Sequence, residues 1–130
     1  MIRVVFDSDR EGRKLSLTVK GHAGYSVPGE DIICASASIL AYTVAQIVKA
    51  MDNHGDFAEP SVIKLDSGDA LISCKAKDDD IYAEAMHTYF VAQVGYSLLA
   101  FNYPNFVDLR SSSAAKNKKE CRSTQKGIDK

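Results

Sequence analysis

His22 and Cys34 lie twelve residues apart, at the two ends of a glycine-rich segment that leads into a long apolar run. A cysteine is nucleophilic only as its thiolate, and a helix N-terminus with a nearby imidazole favours the thiolate. The pattern therefore predicts a nucleophilic thiol with a histidine as its base. Judged by residue type alone, a small buried thiol and an unrelated loop histidine fit equally well.

The residues around Cys34 extend this hypothesis. Small side chains from Ala35 to Ser38 would let a peptide backbone approach the first helical turn, although tight internal packing needs the same residues. Asp31 is placed either to cap the helix or to orient His22. Ser38 follows Cys34 by one helical turn and could hydrogen-bond the substrate or the thiol, or only pack. The backbone N–H groups of Cys34 and Ala35 are candidate donors for an oxyanion hole.

Alternating apolar residues predict four strands, and helical spacing predicts two helices. In chain order these elements cover about residues 2–6, 15–20, 32–51, 61–65, 70–77 and 81–101. The order ββαββα favours an α+β domain of two layers, a four-stranded, mainly antiparallel sheet with two helices on one face. The other sheet face would then be free to pair with a second subunit.

Composition and charge divide the chain into two parts. With 130 residues, 45% hydrophobic and 25% charged, the sequence is typical of one soluble domain, which we place at residues 1–108. Residues 109–130 are predicted to be a basic, disordered tail, since from residue 110 onward seven basic and two acidic residues give a charge of +5. The remainder carries −6 and would attract a cationic partner. Only the basic tail could contact nucleic acid directly.

Several other kinds of protein are disfavoured by the sequence. Cys34, Cys74 and Cys121 are odd in number and not closely spaced, which does not indicate a disulfide framework or a zinc site. Cys74 lies in an alternating strand and is predicted to be a buried structural thiol. We expect no metal, no cofactor and no membrane span, because no phosphate or dinucleotide fingerprint and no apolar run of about 18 residues is present. A cytoplasmic location is expected.

At the same residues the chain resembles a known family, the bacterial Prp or YsxB-like cysteine proteases that process a large-subunit ribosomal protein. The resemblance rests on Gly21-His22-Ala23, on Gly29, and on Asp31-Ile32-Ile33-Cys34-Ala35 with Ser38, and it extends loosely over residues 1 to about 108. It implies removal of an N-terminal extension from that ribosomal protein in the cytoplasm by a homodimer, with Cys34 as nucleophile and His22 as base. The supporting or substrate-binding candidates are Gly21, Gly29, Asp31, Ala35 and Ser38.

The chain departs from this family after the Cys-Ala pair. The family commonly carries alanine and then valine there, whereas this sequence has Ser36 and Ala37, which changes the adjoining pocket. One alternative function is a non-catalytic, ribosome-associated dimer that binds the same kind of peptide, with Cys34 serving only in the core. A cysteine acyltransferase or thioesterase ranks last, because it would need a pocket for an acyl chain or carrier that the sequence does not indicate.

Overall fold

The computed structural model describes residues 1–22 and 30–113, and for Glu30 and Asp31 it describes the backbone alone. Within these residues the chain forms five strands and two helices. In chain order they are β1 (Ile2–Asp9), β2 (Lys14–Lys20), α1 (Glu30–Asn53), β3 (Val62–Asp66), β4 (Asp69–Lys75), α2 (Asp79–Asn102) and β5 (Val107–Ser113).

The strands form one mixed sheet in the order β3-β4-β2-β1-β5. All neighbouring strands are antiparallel except β5, which runs parallel to β1. The two predicted hairpins, β1–β2 and β3–β4, are confirmed. Both helices pack on the sheet face that buries the alternating residues Val4, Phe6, Leu17, Ile72 and Cys74. The two-layer α+β architecture is therefore confirmed.

The predicted strand count was wrong, because β5 lies beyond the last predicted helix. Val107 and Leu109 are its only apolar residues and three serines follow them, so the local pattern is too short to indicate a strand. What holds β5 in place is its register with β1, in which Val4 pairs with Leu109 across about a hundred residues of sequence. Residues 109–113, predicted to belong to the tail, thus belong to the sheet, and residues 114–130 lie outside the described residues.

Helix α1 is a core helix with an unusually apolar composition. Ile33, Ala37, Val44 and Val48 are buried against the sheet and α2. Contrary to our expectation, the stretch Ile32–Asn53 is long and apolar enough to cross a membrane by length and composition. The core helix of a globular domain can be equally long and apolar, and α1 has one face buried in the core, as such a helix does.

Helix α2 begins after an N-cap residue and is hydrogen-bonded to α1 through a buried tyrosine. The Asp78 side chain accepts a hydrogen bond of 2.9 Å from the backbone N–H of Ile81 and so caps the helix. Tyr96 is fully buried, and its hydroxyl donates to the carbonyl oxygen of Ala37 at 2.7 Å. This bond ties α2 to the part of α1 that follows Cys34 by one turn.

Candidate active site

A cavity of about 260 Å³ lies where the start of α1 meets the end of β2 and the β3–β4 turn. Side chains from all three places line it. They include His22, Cys34, Ser38, Tyr42, Leu65 and the turn residues 66–69. The fold therefore brings the predicted nucleophile and the predicted base to one cavity, as a Cys/His pair requires.

Cys34 is the fifth residue of α1 and is half-buried. Ser38 and Tyr42 follow it at intervals of four residues, so the three side chains form one stripe along the helix, and all three line the cavity. Ala35 is exposed and does not line the cavity. Residues 35–37 have small side chains, and the approach of a peptide to Cys34 past them stays a prediction.

The bounds of α1 bear on the predicted oxyanion hole. Only the first four N–H groups of an α-helix lack a partner within the helix. Because α1 begins at Glu30, the N–H groups of Cys34 and Ala35 are the fifth and sixth and are used in the helix itself. In this conformation they are not free donors, so the first turn of α1 offers earlier N–H groups for that role.

His22 reaches the cavity because the chain turns sharply at Gly21. Gly21 has a φ of +96°, and a side chain there would collide with the carbonyl oxygen of Met1. Its N–H donates to the carbonyl oxygen of Gly68 at 2.9 Å, directly after the last β2–β4 pair, Lys20 with Asp69. A glycine is therefore required at position 21, and this requirement gives the Gly-His sequence a structural cause.

The rim of the cavity carries ionised carboxylates on the β3–β4 turn. Lys64 Nζ lies 2.9 Å from Asp69 Oδ2 and 4.0 Å from Asp66 Oδ2. The hydrogen bond from Lys64 lowers the pKa of Asp69, and the same bond raises the pKa of Lys64. One lysine thus faces two carboxylates, and Asp66 remains largely exposed beside the cavity.

Two of the predicted supporting residues cannot be placed. Gly29 lies outside the described residues, and so does the side chain of Asp31. Residues 66–69, Tyr42 and Leu65 line the cavity but were not among the site residues predicted from the sequence. The signal that could have found the turn is the pairing of β2 with β4, which places the residues after Lys20 beside residues 66–69.

Within residues 1–22 and 32–113, no three His, Cys, Asp or Glu side chains are grouped so as to hold a metal ion. The chemistry that the described side chains offer is that of a thiol and an imidazole. A thiol and an imidazole that share an open cavity define the class of cysteine hydrolases.

The chain belongs to the family of the cysteine protease Prp, whose sequence model matches residues 1–120. It is therefore a cysteine protease. No curated protein sequence is significantly similar to it.

Solved structures share the fold. The crystal structure of SMU.848 from Streptococcus mutans is 22% identical, with a TM-score of 0.60, and the match covers 87% of this chain and 95% of that one. The essential ribosomal processing protease Prp from S. aureus, with a covalently linked product peptide, is 24% identical over 86% of this chain and 100% of that one, with a TM-score of 0.63. The same protease with a substrate peptide is 22% identical, with a TM-score of 0.61 and the same coverage.

Proposed function

We propose that this protease is an endopeptidase that removes a short N-terminal extension from a large-subunit ribosomal protein, using Cys34 and His22. The observation that carries the proposal is that both side chains line one cavity in a member of the Prp family. The S. aureus relatives, described as ribosomal processing proteases with product and substrate peptides, support the substrate class. Cytoplasmic action follows from such a substrate.

The reaction needs only the two side chains, the peptide and water. His22 accepts the thiol proton of Cys34, and the sulfur attacks the carbonyl carbon of the scissile peptide bond. The carbon–nitrogen bond breaks as His22 gives the proton to the leaving amine, which leaves a thioester on Cys34. Water, deprotonated by His22, then hydrolyses the thioester and regenerates the thiol.

The supporting candidates have distinct proposed roles. Gly21 lets the chain turn so that His22 faces the cavity, and Ser38 offers a hydroxyl to the peptide one turn after Cys34. Asp31 caps α1 or orients His22, while Gly29 and Ala35 keep the approach to Cys34 free of bulk. Asp66 and Asp69 lie on the rim, where Lys64 and Lys20 offset their charge, so the preference for a cationic peptide rests on the net charge of −6 of residues 1–109.

The chain acts as a homodimer in this proposal, and the surface that supports it is the helix layer. The outer faces of α1 and α2 expose large apolar side chains, namely Ile32, Ile39, Tyr42, Phe90, Val91, Leu98 and Phe101. Exposed apolar side chains of this size mark protein–protein interfaces where they form a patch. The opposite sheet face, which the sequence predicts to pair with a second subunit, carries charged residues such as Arg3, Asp7 and Lys75. Sedimentation of wild type and Ile39→Lys tests this: a monomeric variant supports the helix interface, and an unchanged dimer contradicts it.

The decisive experiment incubates the purified protease with the ribosomal protein that carries its N-terminal extension and follows intact mass. Wild type will produce a single truncation, and Cys34→Ala will be slower by at least about 10³-fold. Cys74→Ala serves as the matched control, since it removes a thiol that does not line the cavity. If wild type binds the substrate but leaves it whole, the non-catalytic peptide-binding function replaces the proposal for this substrate.

A further inference from the structure

The imidazole of His22 lies directly on the β3–β4 turn. A Cβ atom built on Gly68 would be 2.5 Å from His22 Nε2, 2.9 Å from Cε1 and 3.3 Å from Cδ2. Three ring atoms therefore occupy the space that any other residue at position 68 would fill. The edge of the ring that carries Nε2 rests on the bare backbone of the turn.

Sheet pairing brings this turn to His22. Asp66 and Asp69 form the last pair of the β3–β4 hairpin, and Asp69 also pairs with Lys20 at the end of β2. The hydrogen bond from the Gly21 N–H to the Gly68 carbonyl then continues the β2–β4 ladder by one step. His22 is the next residue, so the same backbone contact that ends the ladder sets the ring over Gly68.

His22 is exposed, and the packing contact that the structure shows for its ring is the one with this turn. No hydrogen bond or ion pair from another side chain to His22 is present among the contacts of residues 1–22 and 32–113. A catalytic base has to be held in a productive geometry, commonly by a third group that hydrogen-bonds its ring. The contact that the described residues do make with the ring is that of Gly68, at the edge that carries Nε2.

We propose that Gly68 is a positioning residue for His22, a role that rests on the proposed Cys34–His22 pair. Because Gly68 has no side chain, the imidazole can lie against the backbone of the turn while it faces the cavity. Ordinary contacts between carbon atoms are about 3.5–4.0 Å, so a Cβ at this position moves the ring by about 1 Å. A displacement of that size in a catalytic group lowers the rate by about 10²-fold.

Backbone strain has to be separated from this contact. Gly68 has a φ of +71°, a left-handed conformation that alanine adopts only with strain. Asparagine tolerates this conformation far better but still carries a Cβ, so Gly68→Asn tests the contact with less strain. Gly55 is the matched control, because its φ is +85° and nothing lies within 4 Å of its built Cβ.

The experiment compares wild type with Gly68→Ala, Gly68→Asn, Gly55→Ala and His22→Ala. It measures kcat/KM on the ribosomal substrate, the pH profile of Cys34 alkylation by iodoacetamide, and the melting temperature. Both Gly68 variants will lose about 10²-fold in kcat/KM, and their alkylation profiles will match that of His22→Ala. Gly55→Ala will share the stability loss of Gly68→Ala and keep the activity and profile of wild type.

Two outcomes overturn the inference in distinguishable ways. If His22→Ala is inactive while Gly68→Asn keeps wild-type activity and its alkylation profile, the positioning role of Gly68 fails and the proposed pair stands. If His22→Ala is as active as wild type, the proposed pair itself fails, whatever the Gly68 variants do.

Discussion

Cys34 and Cys74 carry the same functional group in opposite settings. Cys34 is half-buried on α1 and lines the cavity together with His22. Cys74 is 4% exposed on β4, where it faces the helix layer beside Tyr89, and burial raises its pKa to about 11. The cavity lies where α1 begins over the end of β2 and the β3–β4 turn, whereas Cys74 lies near the far end of β4 on its buried face, beside Tyr89 of α2. Position in the two layers therefore separates a thiol that lines the cavity from one that is enclosed in the core.

The largest expected difference between the two thiols is in alkylation rate. Near neutral pH, iodoacetamide will label Cys34 at least about 10²-fold faster than Cys74, because a buried thiol with a raised pKa is almost entirely protonated. Peptide mapping by mass spectrometry separates these sites from Cys121. Labelling in denaturant is the control, in which the two rates should converge. Equal alkylation rates for Cys34 and Cys74 in the folded protein would contradict the expected difference between the two thiols.

A second expected difference is in the pH dependence of stability. The folded-state pKa of Cys74 is raised from 9.0 to about 11, so the folded protein keeps a proton that the unfolded chain loses in this window. The stabilisation is therefore fully present below pH 9 and is lost as the pH rises to about 11, by about 2–3 kcal/mol.

Urea unfolding of wild type and Cys74→Ala across this range isolates that contribution. Tyr89 and Tyr96 also have pKa values raised by burial and are present in both proteins. Because Tyr89 interacts with Cys74, the difference between the two curves reports on Cys74 together with that interaction. Parallel curves for the two proteins would show that the Cys74 thiol does not titrate differently in the folded state.

The smallest expected effect tests whether core and site are independent. Tyr96→Phe removes the hydrogen bond to the Ala37 carbonyl and should lower the free energy of unfolding by about 1 kcal/mol. Tyr89→Phe removes a comparable bond to the Ile72 carbonyl, where neither residue lines the cavity, and is the control. We expect similar losses of stability in chemical denaturation, with a decrease in kcat/KM confined to Tyr96→Phe. A loss of activity in Tyr89→Phe would show that the core and the site are not independent.

Local patterns predicted the elements that carry the site. The alternation of Ala70, Ile72 and Cys74 predicted the buried face of β4, and all three are buried. The spacing around Cys34 predicted α1, which extends about two residues beyond each predicted end. Such patterns record which face of an element is apolar, and that property is local in sequence.

Contacts between distant segments could not be predicted in the same way. Nothing in the turn 66–69 indicates by itself that His22 rests on Gly68, because that contact depends on the register of β2 with β4. The strand β5 was missed for the same reason, since its partner β1 stands at the other end of the described chain. Register follows from the burial of whole strands, which single segments do not reveal.

The parallel pairing of β1 with β5 also sets an order of events during synthesis. Val4 and Leu109 are neighbours in the sheet, and a ribosome adding about 5–20 residues per second needs roughly 5–20 s to pass from one to the other. All the described residues that line the cavity have been synthesised once the chain reaches Ala70, well before β5 is made. For those seconds the outer edge of β1 stays open to strand pairing with other chains, so the nascent enzyme is most prone to aggregation just before β5 is complete.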